Sequence, residues 1–167
     1  MDLLVSTSQA GPVLEWGAGP RRCAIGPAGI AQKNREGDGV TPLGIFPIRE
    51  IFYRADRIAV PRVQLPLRAI ARDDGWCDAP DDPRYNRLVK LPYGASAEQM
   101  WRDDHLYDLV AVIGFNDHPV VAGKGSAIFL HLAKPDYAPT AGCVALAKDD
   151  LLAALEQLKP GDRIRIV

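Results

Sequence analysis

At 167 residues the chain has room for one domain, residues 1–167, whose core is large enough to need no disulfide or metal staple. Lys plus Arg total 20 against 21 Asp plus Glu, a formal net charge of −1, so no basic field exists to recruit nucleic acid and none is expected as a partner. With 15 Gly and 14 Pro the composition favours strands and turns over a helical bundle, and the fold class is read as mainly β.

Taken in order, Asp2 to Thr7, Pro12 to Trp16 and Arg21 to Ile25 read as short strands punctuated by Gly and Pro, an antiparallel meander with a structural role. The start of the chain has neither a basic leader region nor an apolar run of signal length, and no 18-residue apolar stretch occurs anywhere. No membrane span and no exported precursor are therefore legible. The polar segment Lys33 to Gly39 is a loop that frames the sheet and lines a cleft, and it leads through Thr41-Pro42 into a strand over Gly44 to Tyr53. It lacks the GK[ST] of a phosphate loop, and a strand follows it where a phosphate loop needs a helix.

Residues 55–92 show no periodicity and form one long irregular insertion. Trp76 and Tyr85 within it need a surface to pack on, so it is expected to be ordered. Two roles stay open for it: a wall of a substrate groove built with Trp76, Arg84 and Tyr85, or a surface loop holding its own salt bridges. Ala97 to Asp104 is expected to be a short helix with Ser96 as N-cap and Glu98-Gln99 in its first turn. Leu106 to Phe115 reads as a buried central strand ending at a loop where Asn116 is placed to orient His131 or a substrate, capping its own turn being the simpler account. His118 reads as a surface residue. Leu151, Leu152, Leu155 and Leu158 make an apolar stripe at helical spacing, so Lys148 to Lys159 is a core-packing helix stopped by Pro160-Gly161, and Arg163 to Val167 is a closing strand.

The chemistry lies between Ala127 and Ala147. Ile128 to Leu132 alternates as a strand does, with Phe129 and His131 on one face and Ile128, Leu130 and Leu132 on the other. After a loop with two prolines comes Thr140-Ala141-Gly142-Cys143, where Gly142 permits a turn that presents the sulfur together with its amide. One imidazole and one thiol on separate elements joined by a short connection make a nucleophile and its base. Cys23, Cys77 and Cys143 are odd in number without CxxC spacing, and His105, His118 and His131 lack ligand spacing, so neither a metal nor a cofactor is expected.

His131, the Pro-rich loop and Thr140-x-Gly142-Cys143-Val144 resemble the catalytic signature of the L,D-transpeptidase (YkuD-like) domain. Gly37 to Phe46 resembles that family's TPxGxF segment, and Val112 to Asn116 with Gly125 to His131 resembles its approach to the active site. The resemblance implies a mixed β-sheet or sandwich domain with a helix after the catalytic cysteine. It also implies peptidoglycan stem peptides as donor and acceptor, and a periplasmic or cell-envelope location. Cys143 is then the nucleophile and His131 its base, the two tending to an ion pair. A backbone carbonyl is expected to hold the imidazole's other nitrogen. The amide of Cys143, with that of Gly142 or Ala141, is expected to form the oxyanion hole, with Thr140 supporting the loop and Tyr137 covering the site. A monomer is expected. The family's thiol is acylated by carbapenems, and hydrolysis of muropeptides by an L,D-carboxypeptidase, or a silent wall-binding module, are the alternative readings. Many relatives carry other residues where this chain has Leu132, Ala141 and Ala145, so a polar contact near the thiol and a carboxylate clamp are missing. Both 3-3 and 1-3 cross-links stay open.

Overall fold

A computed structural model describes residues 1–167. The chain opens with β1 (Asp2–Ser8), β2 (Gly11–Trp16) and β3 (Gly19–Ala24), followed by the short β4 (Ile30–Ala31) and β5 (Thr41–Pro42) and the long β6 (Gly44–Tyr53). Next come β7 (Leu67–Ala69), β8 (Asp74–Cys77), β9 (Leu88–Lys90) and β10 (Ala97–Gln99). The last part holds β11 (Leu109–Ile113), β12 (Phe129–Leu132), β13 (Val144–Leu146), α1 (Lys148–Gln157) and β14 (Arg163–Ile166).

Alternation of apolar and polar residues builds the main sheet. In β14, Ile164 and Ile166 are buried while Arg163 and Arg165 face out, and Leu3 and Val5 of β1 point into the same core. Gly11 at φ 111° and Gly19 at φ 84° make the two turns of the opening meander, which is antiparallel throughout. The strand order is β11-β12-β13-β3-β2-β1-β14-β6-β7, and β11 also pairs with β6. The ladder therefore returns upon itself and encloses one core. Leu151 and Leu155 of α1, with Leu158 at its C-cap, enter that core beside Leu14, Leu130 and Leu146, each fully buried apolar side chain stabilising by about 1.5–3 kcal/mol. Asp149 and Asp150 lie in the helix's first turn, where the dipole favours negative charge.

Two expectations change. Ala97–Gln99 is a strand: it pairs antiparallel with β8, Ala97 against Cys77 and Gln99 against Gly75, so the apparent cap signal at Ser96 is overridden by pairing across the sheet. Residues 55–92 are organised, contributing β7 to the main sheet and β8 and β9 to a small sheet ordered β10-β8-β9. That stretch is anchored by Trp76, which is 7% exposed and meets Phe129 edge-on with ring centroids 5.1 Å apart. Arg54 adds a second anchor, stacked 3.6 Å over Trp101 and paired with Asp56.

Candidate active site

β12 and β13 lie side by side and parallel, with Leu130 opposite Val144 and His131 opposite Ala145. Residues in register point to the same face, and Cys143 precedes Ala145 by two, so the imidazole and the thiol emerge on one face. That face carries Phe129 and Cys143 in a cluster with Trp76 and Tyr107, while Leu130, Leu132, Val144 and Leu146 fill the main core on the other. The loop 133–143 crosses back over the face, pinned where the Ala133 amide donates to Leu146 and the Thr140 amide to Ile25.

The turn before the sulfur is made from close backbone approach. Gly142 sits at φ 139°, and a Cβ there would fall 2.7 Å from the Val40 carbonyl oxygen. Gly26 is packed as tightly, since a Cβ on it would meet the Gly39 carbonyl oxygen at 2.1 Å and the Gly142 Cα at 3.1 Å. The Thr41 hydroxyl accepts the Gly26 amide at 2.9 Å. Thr41-Pro42 and its flanks thus brace the cysteine turn without offering a reactive group of their own.

Cys143 is 7% exposed. Its thiol donates to the Ala127 carbonyl at 3.2 Å, and its sulfur accepts the Phe129 amide at 3.3 Å. Thr140 donates through Oγ1 to the Cys143 carbonyl at 2.7 Å and accepts the Gly142 amide at 3.1 Å. The amides of Ala141 and Cys143 have no acceptor in the protein. Nδ1 of His131 lies 2.9 Å from the Leu132 carbonyl, which fixes the proton on Nδ1 and leaves Nε2 as the basic nitrogen. Tyr107 packs edge-on against His131 with centroids 5.3 Å apart, and its hydroxyl donates to Glu98 at 2.5 Å.

Burial sets the electrostatics. It pushes the Cys143 thiol up to about 12, helped by the Glu98 carboxylate and opposed by the Phe129 amide and Lys33. Burial likewise lowers His131 to about 4, against the Leu132 carbonyl that favours the cation. Both shifts favour the uncharged forms, a thiol and a neutral imidazole, and run against the expected ion pair, with desolvation the first cause of each. Glu98 is itself raised, chiefly by burial.

Cys143 and His131 both line a cavity of about 390 Å³, together with Thr140, Ala141, Ala145 and Tyr107. Its charged wall comes from Lys33, Glu36, Asp78, Glu98, Arg102 and Lys134. Lys33 is buried and paired with Asp38 at 2.5 Å, whereas Lys134 has no carboxylate partner. Of these six, Lys33 and Glu36 lie in the loop read as lining a cleft, and Asp78 lies in the stretch 55–92 for which a groove wall was one of the two readings. Glu98 was hidden by its helix-like context, and Arg102 carries no local signal.

The other sequence-selected residues stand outside this cavity. Trp76 donates through Nε1 to Asn86 at 2.9 Å and faces Phe129. The Tyr85 hydroxyl donates to Glu36 and accepts the Gly125 amide at 2.9 Å, bracing the wall from behind. Arg84 is exposed and donates to the Leu88 carbonyl at 3.1 Å. Asn116, at φ 49°, bonds Val121 and Gly125 and so closes its own loop. Tyr137, at φ 56°, lies under the guanidinium of Arg22, 4.4 Å from ring centroid to Cζ. His118 is exposed. No cluster of side chains suited to a metal ion occurs, and no helix is long and apolar enough to cross a membrane.

Compared with known proteins, residues 5–166 match the family model YkuD, described as the L,D-transpeptidase catalytic domain. No curated protein and no solved structure gives a significant match.

Proposed function

The chain belongs to the YkuD family of L,D-transpeptidase catalytic domains, and on that premise we propose that it is a peptidoglycan L,D-transpeptidase with Cys143 as nucleophile and His131 as general base. Members of this family are cell-envelope enzymes that act on peptidoglycan. The observation that carries the residue assignment is the shared face: His131 on β12 and Cys143, the residue just before the parallel strand β13, line one cavity.

A donor stem enters with the carbonyl of an L-to-D peptide bond against the sulfur. His131 Nε2 takes the thiol proton as sulfur bonds to the carbonyl carbon, so charge separates only in the presence of substrate. The free amides of Ala141 and Cys143 receive the oxyanion, while the Gly142 amide is occupied by Thr140. The C–N bond then breaks, the imidazolium returns its proton to the departing amine, and a thioester remains on Cys143. An acceptor amine attacks it, loses a proton to Nε2, and the sulfur leaves and is reprotonated. Lys134, which has no carboxylate partner, and the carboxylates of Glu98 and Asp78 line one cavity and suit a stem peptide that carries both carboxylate and ammonium groups, while Arg102 is held by Asp104 at 2.7 Å. Trp76, Tyr85, Asn116 and Tyr137 act in this reading by bracing the walls from outside the cavity, and Arg84, exposed and bonded to the Leu88 carbonyl, takes no part.

Muropeptide analysis with tetrapeptide stems, using wild type and Cys143→Ala, tests the proposal. Cross-linked dimers from wild type alone are expected, together with a carbapenem adduct on Cys143 in the intact mass. Trimmed monomers without dimers would replace transfer by L,D-carboxypeptidase hydrolysis, and an unmodified wild type would leave only a wall-binding module. The 3-3 or 1-3 character of the link is read from the same dimers.

A further inference from the structure

Two backbone groups hold the sulfur of Cys143, the Ala127 carbonyl and the Phe129 amide, and residues outside the cavity grip both. Asn86 is 4% exposed and sits at φ 57°. Its Oδ1 accepts Trp76 Nε1 at 2.9 Å and the Ala127 amide at 3.1 Å. Its Nδ2 donates to the carbonyls of Phe115 and Asn116 at 3.0 and 2.9 Å, so the side-chain amide is fully bonded. Trp76, fixed by that bond, packs against Phe129.

Ala127 is the vulnerable member. It lies at φ 52°, in the left-handed region that costs an alanine roughly 1–2 kcal/mol, and its amide has Asn86 as partner. Its carbonyl presents a negative dipole end to the sulfur. That dipole favours a thiol and opposes a thiolate, whereas the Phe129 amide does the reverse.

We propose that Asn86 is a positioning residue for Cys143: through the Ala127 amide it aims the Ala127 carbonyl at the sulfur, which retains the thiol proton there until donor and His131 draw it off. The inference rests on the reading of Cys143 as the nucleophile. It gives the stretch 55–92 a role in restraining the thiol, because Trp76 and Asn86 both come from it. The ionisable groups that act on the sulfur electrostatically from other elements are Glu98, Lys33 and Tyr107, with His131 on the same cavity, and none of them is hydrogen-bonded to Asn86.

Asn86→Gly tolerates the positive φ and deletes Oδ1, whereas Asn86→Asp keeps an acceptor for Ala127 and Trp76 but faces the Phe115 and Asn116 carbonyls. Alkylation of Cys143 by iodoacetamide across pH, followed by peptide mapping, reads the sulfur directly and needs no peptidoglycan. In Asn86→Gly alkylation at a fixed pH should rise about tenfold, the equivalent of one pKa unit, while kcat for transfer falls and KM holds. Asn86→Asp should melt lower yet keep the wild-type alkylation profile. A folded Asn86→Gly with the wild-type profile overturns the proposal. Should Asn86→Gly not fold, a displaced profile in Asn86→Asp overturns it and an unchanged one supports it. A wild type without transfer or hydrolysis would sink the functional reading and leave this comparison intact.

Discussion

Thr140 and Cys143 are tied by a 2.7 Å hydrogen bond from the threonine hydroxyl to the cysteine carbonyl, and the same oxygen accepts the Gly142 amide. One side chain thus fixes two peptide groups around the sulfur. Thr140→Val keeps the shape, removes both bonds and should destabilise by about 1–3 kcal/mol. Acylation should slow by about tenfold or more with little change in KM, since the turn that sets the attack geometry loosens. Thr140→Ser should retain most of both. Denaturant melts and single-turnover acylation measure this, and wild-type kinetics in the valine variant would remove Thr140 from the site's frame.

Gly142→Ala meets two obstacles, a backbone at φ 139° and the Val40 carbonyl oxygen 2.7 Å from the new Cβ. Neither can yield without moving the strap that carries Thr41. The variant should lose several degrees of Tm and nearly all thioester formation with a carbapenem, as intact mass would show. Adduct formation at the wild-type rate would mean that the turn is slack.

The pH response follows from the buried imidazole. His131 titrates near 4 when folded and at 6.5 as a free side chain, so between those values the unfolded chain binds a proton that the folded chain does not. Stability is fully present above about 6.5 and falls by roughly 1 kcal/mol per pH unit down to about 4. His131→Gln should flatten that window in chemical denaturation, and transfer by the wild type should fade only as pH drops through about 4. An activity loss centred near 6.5 would place the essential base elsewhere.

The Glu98 charge opposes ionisation of Cys143. Glu98→Gln keeps an acceptor for the Tyr107 hydroxyl while removing that charge, so alkylation of Cys143 should move to lower pH. An unshifted alkylation profile would show that burial alone controls the thiol.

The opening meander, β6, α1 and β14 were legible because each follows its own apolar period over enough residues to define a face. That Cys143 and His131 would meet at one cavity was legible too, from a glycine turn and an alternating strand. What the sequence hid depended on distant partners. Ala97–Gln99 looks helical locally and becomes a strand because β8 offers a ladder. β8 and β9 are too short to show a period, and the burial of Trp76 is settled by Phe129, far along the chain. Asn86 gives no local hint at all, since its meaning comes from a left-handed alanine on another element. The ion pair was expected from side-chain chemistry alone, and desolvation, a property of the assembled fold, works against it.

β1 lies parallel to β14, with Leu3 beside Ile164 and Val5 beside Ile166. β1 therefore waits for a strand far along the chain before its outer edge is covered. Until β14 has been made Leu3 and Val5 have no permanent neighbour on that side, and β1 presents a sticky edge. Closing the ring is a late, all-or-none event, so a chain stopped short of Arg163 should be prey for chaperones and proteases rather than a weaker version of the finished molecule.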